Sequence, residues 1–383
     1  MQLTDPSFPN QSKFMQKNTL LIFSVILVLF LSIVLTFFYK QNRDKKTLDD
    51  SHILENLVEE NKNFSLGENF LKTSDGANAL KYFQEALKEA KSLDEEAQIK
   101  YKIALSYDLL GDPTIVVTLL KEIISNTNYK APIRAYALQY MARLFNISGD
   151  ANIHTEIFKD APYADFYKEK DLKLAYLRLY EYGSKIYPLG IIEMRIADWY
   201  ADSVSKALRE EKGDATKLAK QPSRQATLEK EREIIRKKIV SADMDIQKTR
   251  SDVATRTYVP EILFLKGNVL AKLHLAGDFS LGNPEDAYKE SLEAAQGNIA
   301  FEAAARYHYA SFLARAYGKD RRDDVKKLLS AFYADTAFSN SAMYKVIARE
   351  KNNALGLKNH IVLMASLDPE FKTLLRQMGW ERI

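Results

Sequence analysis

The feature that most constrains the fold of this chain is an internal repeat. When the sequence is shifted by 37 residues and compared with itself, many positions match in residue type. Two sets of small and apolar residues coincide at this offset: Phe64, Leu66, Gly67, Phe70, Ala79, Phe83 and Ala86 align with Tyr101, Ile103, Ala104, Tyr107, Val116, Leu120 and Ile123. Their spacings of three and four residues put them on single helix faces. The repeat predicts two helix pairs, 57–72 with 76–91 and 95–110 with 113–126, which must stack because no pair buries its apolar stripe alone.

The positions of small residues explain how such pairs would pack. Gly67 and Ala104 let a second helix approach closely, and an aromatic residue three positions later fills the space beside it. This pattern resembles the tetratricopeptide repeat (TPR) family, and the residues that carry it are Gly67, Phe70, Ala79, Phe83, Ala86, Ala104 and Tyr107. A similar pair near the C-terminus, at an offset of 43, carries Gly267, Leu270, Ala310 and Leu313. The repeats differ from the 34 residues typical of the family, and generic helix hairpins satisfy the same packing rule.

A charge-free apolar stretch lies near the N-terminus. No charged residue occurs between Lys17 and Lys40, and the 18–39 segment would reach roughly 30 Å as a helix, the thickness of a hydrocarbon core. A buried soluble helix would show a polar face, and a cleaved signal peptide would have a shorter apolar region. The stretch therefore predicts a single-pass protein of the plasma (inner) membrane. We expect the large C-terminal body to be extracytoplasmic, because the chain has no cysteine and has the layout of a short tail, one span and a large body. The flanking Lys and Arg residues favour the alternative, the cytoplasmic face.

The middle of the chain differs from both ends in its charge. From 223 to 257 the charge density is high, and a thin apolar stripe with nearly heptad spacing remains: Leu228, Ile235, Ile239, Ile246 and Val253. This pattern predicts a long helix that protrudes from the repeats or packs as a hairpin. The basic run at 236–238 is interleaved with glutamates, which favours a solvated helix face over a phosphate-binding one.

Together these patterns predict an all-α chain, with one transmembrane helix followed by TPR-like hairpin repeats (an α-solenoid) and a long charged helix or hairpin in the middle. Only 14 glycines and 10 prolines argue against a β-sandwich or barrel. The predicted divisions are a tail at 1–17, the transmembrane helix at 18–39, a juxtamembrane linker at 40–50, N-terminal TPR-like repeats at 51–150, further packed helices at 151–208, a charged linker and long helix or hairpin at 209–257, and C-terminal TPR-like repeats at 258–383.

The sequence offers little chemistry. Without cysteine there are no disulfides, thiolate zinc sites or cysteine nucleophiles, and the net charge of +4 is too small to indicate nucleic-acid binding. The five histidines lie far apart in the sequence: His52, His154, His274, His308 and His360. His274 and His308 would converge only if their repeats stack. Since no catalytic or phosphate-binding loop motif is present either, we expect a non-enzyme without metal, cofactor or small-molecule substrate.

The resemblance implies a scaffold or adaptor that binds other proteins or peptides, with a role in protein translocation or assembly in the bacterial cell envelope. In the family, first-helix positions line a partner-binding groove, and they correspond here to Asn61, Phe64, Glu68, Leu71, Gln98, Tyr101, Leu105 and Asp108. The alternative for Phe64 and Tyr101 is that they pack onto adjacent helices. The alternative function is a structural oligomer that self-associates through the 223–257 helix.

Overall fold

The structure is a computed structural model that describes residues 61–73, 75–148, 151–213, 222–251, 259–353, 356–381 and 383. Its first half contains α1 (Lys62–Lys72), α2 (Gly76–Lys88), α3 (Leu93–Leu110), α4 (Pro113–Ser125), α5 (Ala131–Ser148), α6 (Ala151–Phe158), α7 (Tyr163–Phe166) and α8 (Leu172–Ile186). Its second half contains α9 (Gly190–Gly213), α10 (Pro222–Ser251), α11 (Val259–Ala276), α12 (Pro284–Ala294), α13 (Ile299–Tyr317), α14 (Arg322–Leu329), α15 (Ala331–Ala334), α16 (Ala342–Arg349), α17 (Lys358–Leu367) and α18 (Pro369–Gln377). The prediction of an all-α fold is confirmed for these residues, among which there is no strand.

Local sequence sets the starts of these helices. The side chain of Asn61 accepts a 3.0 Å hydrogen bond from the backbone N–H of Phe64, and Asp75 does the same for Asn78 at 3.1 Å. Asp112 caps α4 in the same way, with Pro113 as its first residue. These side chains satisfy N–H groups that have no partner within the helix, and proline lacks one of those groups in any case.

The helices pack as successive hairpins. Each of α2, α4, α10, α12, α14 and α18 packs against the helix before it. The helices α1, α3, α5, α8, α9, α11, α13 and α17 contact one another in that order and so form a continuous inner layer. The apolar side chains between the two layers form one large buried core that extends from Phe64 to Trp380.

Two glycines show how closely the paired helices approach. A Cβ placed on Gly67 would lie 2.7 Å from the Phe83 ring, and one on Gly267 would lie 2.7 Å from the Tyr288 ring. In both hairpins an aromatic ring of the second helix lies directly against the backbone of the first. These contacts need the absence of a side chain, because even a methyl group would overlap the ring.

The charged helix α10 packs along α9. Four residues of its thin apolar stripe are buried there: Leu228, Ile235, Ile239 and Ile246, while Val253 lies outside the described residues. Ion pairs also hold α10 to its neighbours. Lys238 of α10 pairs with Glu193 of α9 at 3.0 Å, and Asp243 of α10 pairs with Lys266 of α11 at 2.7 Å. Of the two predicted arrangements, the structure has the hairpin.

The prediction of a single-pass membrane protein is wrong for the part of the chain that the structure describes. No helix among those residues is both long enough and apolar enough to cross a bilayer. Even α11, which is mostly apolar, carries Glu261, Lys266 and Lys272 along its length. The predicted transmembrane segment 18–39 and its flanks lie outside the described residues. The predictions of a transmembrane fold class and of an inner-membrane localisation, in either orientation, are therefore corrected.

Candidate functional site

The residues predicted to line a groove lie between the first helices of the N-terminal repeats. All of them except Asp108 are buried. Phe64 packs edge-to-face on Phe83 with ring centroids 5.4 Å apart, and Tyr101 packs similarly on Tyr140 at 5.9 Å. The Tyr140 hydroxyl also donates a 2.7 Å hydrogen bond to Asp108. These side chains hold adjacent helices together, and their role in partner binding stays a prediction.

Two further polar members of this set are also engaged within the fold. Glu68 forms a 3.0 Å ion pair with Lys102, which is almost completely buried in α3. The amide of Asn61 lies 3.5 Å from the carbonyl oxygen of Ala86. A partner that entered between α1 and α3 would have to displace these contacts. Glu68 and Asn61 are therefore part of the contacts between these helices.

A cluster of polar residues lies in the second half of the inner layer. We call it the polar seam and define it by Asp198, Asp202 and Arg209 on α9, Asn268 and Lys272 on α11, His308 and Arg315 on α13, and His360 on α17. Within each helix these residues recur at spacings of four, seven or eleven, which places them on one helical face. Since α9, α11, α13 and α17 contact one another in sequence, their polar faces meet.

The centre of the polar seam is a buried ionic cluster. Lys272 Nζ lies 2.6 Å from Asp198 Oδ1 and 2.8 Å from Asp202 Oδ1. The side chains of Lys272 and Asp198 are only 9% and 5% exposed, whereas that of Asp202 is 23% exposed. Burial raises the pKa of Asp202 to about 6, with a further contribution from the Asp198 charge. The two carboxylates in turn raise the pKa of Lys272 against the effect of its burial.

The two histidines of the polar seam are held neutral. Burial lowers the pKa of His308 to about 3, and the nearby charges of Arg315 and Lys272 contribute in the same direction. Burial also lowers the pKa of His360 to about 3, helped by Arg315 and His308. At neutral pH these rings are therefore uncharged polar groups beside cations.

Two arginines of the polar seam differ from Lys272 in their pairing. In the ranges that the structure describes, neither Arg209 nor Arg315 makes an ion pair or a side-chain hydrogen bond. Arg315 is exposed to solvent. The protein atoms around it lower its pKa to about 10, and the neighbouring Arg209 charge adds to this effect. Burial lowers the pKa of Arg209 as well, while the charge of Asp202 acts against this shift.

Neutral polar groups lie near Arg315. The hydroxyl of buried Tyr288 donates a 2.7 Å hydrogen bond to Asn268 Oδ1, and the charges of Arg315 and Asp198 both reach Tyr288. The Asn268 side chain is 4% exposed, and its amide nitrogen has no hydrogen-bond acceptor among the described residues. An amide donor buried without an acceptor costs roughly 1–3 kcal/mol.

No group of three His, Asp or Glu residues in the described ranges is arranged to hold a metal ion. The sequence left open whether His274 and His308 converge, and the two rings have different neighbours in the structure. His274 packs against Phe279 at 4.5 Å and against Phe312 at 5.2 Å, while His308 packs against Phe264 and neighbours His360.

The polar seam was not predicted from the sequence. Its signal is weak, because Asp198, Asp202 and Arg209 resemble the solvated face of any amphipathic helix. A stronger signal is Lys272, a cation within an otherwise apolar stretch of α11. Such a charge needs partners when it is buried, and these partners come from another helix.

Comparison of the chain with protein-family models, with curated proteins and with solved structures gave no match. The resemblance to the TPR family therefore stays an expectation from the residues that carry it.

Proposed function

We propose that this chain is a TPR-like helical-repeat scaffold that binds another protein, and that the polar seam is its principal binding surface. The observation that carries the proposal is that Arg209 and Arg315 lie near one another and that neither makes an ion pair in the described part of the chain. A folded protein gains nothing by holding two like charges together and partly desolvated. Groups perturbed in this way cluster at functional sites.

Three further properties of the polar seam support binding to a protein. It extends over four consecutive helices of the inner layer, which suits an extended or helical partner segment. Its two histidines are uncharged at neutral pH and so add no further positive charge to the surface. Its base is rigid, because Lys272 ties α9 to α11 through two ion pairs. A rigid, preorganised surface loses less entropy on binding than a flexible one.

The alternative of an oligomer built on the 223–257 helix has less support. Leu228, Ile235, Ile239 and Ile246 are buried against α9 and are not available for a seam between copies. The large apolar side chains that α10 exposes are Val240 and Met244, one turn apart. Two residues provide far less apolar area than a stable dimer needs.

Site-specific photocrosslinking in cells tests this proposal. A photoreactive amino acid at Lys206 on α9 or at Asn359 on α17 would place the probe at exposed positions bordering the polar seam. Matched control positions are Lys289 and Glu293, which are exposed on the second helix α12. We expect a discrete crosslinked species from the first two positions and not from the controls. The proposal fails if the crosslinks arise equally from both pairs or only from α12.

A further inference from the structure

The second half of α10 exposes one side to solvent, and the residues on that side are basic, apolar or neutral. Between 236 and 248 the exposed residues are Arg236, Lys237, Val240, Met244, Gln247 and Lys248. Because they recur at spacings of three and four, they form one face of the helix. We call these six residues the α10 outer face. Val240 and Met244, which are 55% and 56% exposed, form its apolar centre.

The acidic residues of this stretch are engaged with neighbouring helices. Asp243 forms a 2.7 Å ion pair with α11, and Asp245 accepts a 2.7 Å hydrogen bond from the first residue of α9. Glu233, one turn before the α10 outer face, is the ion-pair partner of both cations at the start of that face. Its single carboxylate thus serves two cations, and Lys248 adds a third at the other end. The α10 outer face therefore carries an excess of positive charge.

We propose that the α10 outer face is a second docking surface, which binds an acidic amphipathic helix of a partner protein. Apolar side chains of such a helix cover Val240 and Met244, which lie one turn apart. Its carboxylates pair with Lys237, one turn before this apolar centre, and with Lys248, one turn after it. The α10 outer face shares no residue with the polar seam, so this inference does not depend on the function proposed above.

Charge decides between this occupant and a second copy of the chain. Two copies that met through the α10 outer face would bring the Lys237 and Lys248 side chains of both copies around one apolar centre, and these like charges would repel one another. An acidic helix instead supplies a partner for each cation. The apolar centre is small, so the complex belongs to the weak and transient class, in which opposite charges contribute to the rate of association and to specificity.

Fluorescence anisotropy with the full chain tests this inference. The probe is a fluorescein-labelled peptide of about 15 residues, built from leucine and glutamate so that it forms an amphipathic helix. One control peptide has glutamine in place of glutamate, and the other has serine in place of leucine. We expect the probe to bind about tenfold more tightly than either control, and to bind more weakly as the salt concentration rises. Failure of the probe to bind, or equal binding of all three peptides, would refute the inference.

Two double variants connect binding of the probe to the α10 outer face. Lys237→Glu/Lys248→Glu reverses its charge, and Val240→Ser/Met244→Ser removes its apolar centre. We expect each double variant to weaken binding of the probe about tenfold, because the first replaces attraction by repulsion and the second removes the apolar contact. Unchanged binding in both double variants would show that the peptide binds elsewhere, and the assignment would be wrong.

A control variant changes the net charge of the chain by the same amount. It is Lys81→Glu/Lys88→Glu, which reverses two exposed lysines on α2. We expect this variant to bind the probe as the unmodified chain does. An equal loss of binding would show that the probe responds to the overall charge of the chain, and it would refute the assignment. All these substitutions are at exposed positions, and the thermal unfolding midpoint of each variant shows that weaker binding does not come from misfolding.

An anionic membrane is the other surface that a basic and apolar helix face can meet. Sedimentation with vesicles of phosphatidylcholine and phosphatidylserine distinguishes it from a protein partner. We expect the Lys237→Glu/Lys248→Glu variant and the unmodified chain to sediment equally with these vesicles. Loss of sedimentation in that variant, together with failure of the probe peptide to bind the unmodified chain, would assign the α10 outer face to a lipid surface and overturn the inference.

Discussion

Asp245 Oδ2 accepts a 2.7 Å hydrogen bond from the backbone N–H of Gly190, so a side chain of α10 caps the first turn of α9. A Cβ on Gly190 would lie 3.0 Å from the same oxygen and 2.8 Å from Ile262 Cδ1, which leaves room only for glycine. The negative charge also lies at the positive end of the α9 dipole. The charged helix is therefore a structural part of the repeat array, fixed to the helix that carries Asp198, Asp202 and Arg209.

This contact predicts that Asp245→Ala destabilises the fold by about 1–2 kcal/mol, because a buried N–H loses its acceptor. The matched control is Asp243→Ala, two residues earlier on the same helix. Asp243 pairs with Lys266, and both side chains keep partial access to water, so this ion pair should contribute little more than the roughly 0–1 kcal/mol of a surface pair. Urea unfolding followed by circular dichroism measures both variants. Equal effects of the two substitutions would show that Asp245 is not a cap.

A second prediction concerns the contact between Gly67 and Phe83. An alanine at an exposed helix position stabilises by about 1 kcal/mol relative to glycine. At Gly67 the added Cβ would lie 2.7 Å from the Phe83 ring, so we expect Gly67→Ala to destabilise by about 1–3 kcal/mol instead. The measurement is the free energy of unfolding.

A double-mutant cycle provides the control for this prediction. Phe83→Leu removes the ring edge that the new Cβ would meet, at a cost of its own. Adding Gly67→Ala to that background should cost less than in the unmodified protein, and it should even stabilise if the ring is the only obstacle. Strictly additive effects would contradict the proposed clash.

The all-α fold and the starts of two helices could be predicted from the sequence. Helices begin at Gly76 and Pro113, the predicted residues, because a capping Asp stands before each of them. These signals lie within a few residues of one another, so they can be recognised without knowledge of the tertiary structure. The contact of Gly267 with Tyr288 also follows from the rule that small residues face large ones across a hairpin.

The polar seam could not be predicted in this way. Its ionic cluster joins Asp198 to Lys272 across two helices that are separated in the chain by the whole of α10. Periodicity shows that a helix has a face, but it does not show which other helix covers that face. The same limit applies to the apolar stripe of α10, since its spacing predicts a helix with one apolar face but leaves open whether that helix protrudes or packs as a hairpin against α9.

The ionic cluster leads to a third prediction. Lys272→Met should destabilise by about 3–5 kcal/mol, since it leaves the carboxylates of Asp198 and Asp202 buried without a cation. Replacing both aspartates by asparagine in the same protein should recover a large part of this loss. As a control, Lys88→Met removes an exposed ion pair with Glu85 and should change stability by less than about 1 kcal/mol. A similar loss in the two lysine variants would argue against a special role for the buried cluster.

The last prediction follows from the low pKa of His308. In the folded protein this pKa is about 3, and in the unfolded chain it returns to about 6.5. Between pH 6.5 and pH 3 the His308 ring is therefore protonated in the unfolded state and neutral in the folded state. The contribution of His308 to the free energy of unfolding is complete above pH 6.5 and is lost as the pH falls toward 3. From pH 7 to pH 5 the loss is about 2 kcal/mol.

Other groups of the polar seam titrate over the same range, which decides how the experiment must be done. His360 should act in the same direction as His308, whereas Asp202, with its pKa raised to about 6, should gain about 1 kcal/mol of stability as the pH falls from 7 to 5. The charges of Lys272 and Arg315 do not change there. The measured quantity is thus the change in unfolding free energy between pH 7 and pH 5, compared between the unmodified protein and His308→Gln. We expect this change to be about 2 kcal/mol smaller in the variant, with no difference between the proteins from pH 7 to pH 8. An identical acid sensitivity would show that His308 is not held neutral by the polar seam.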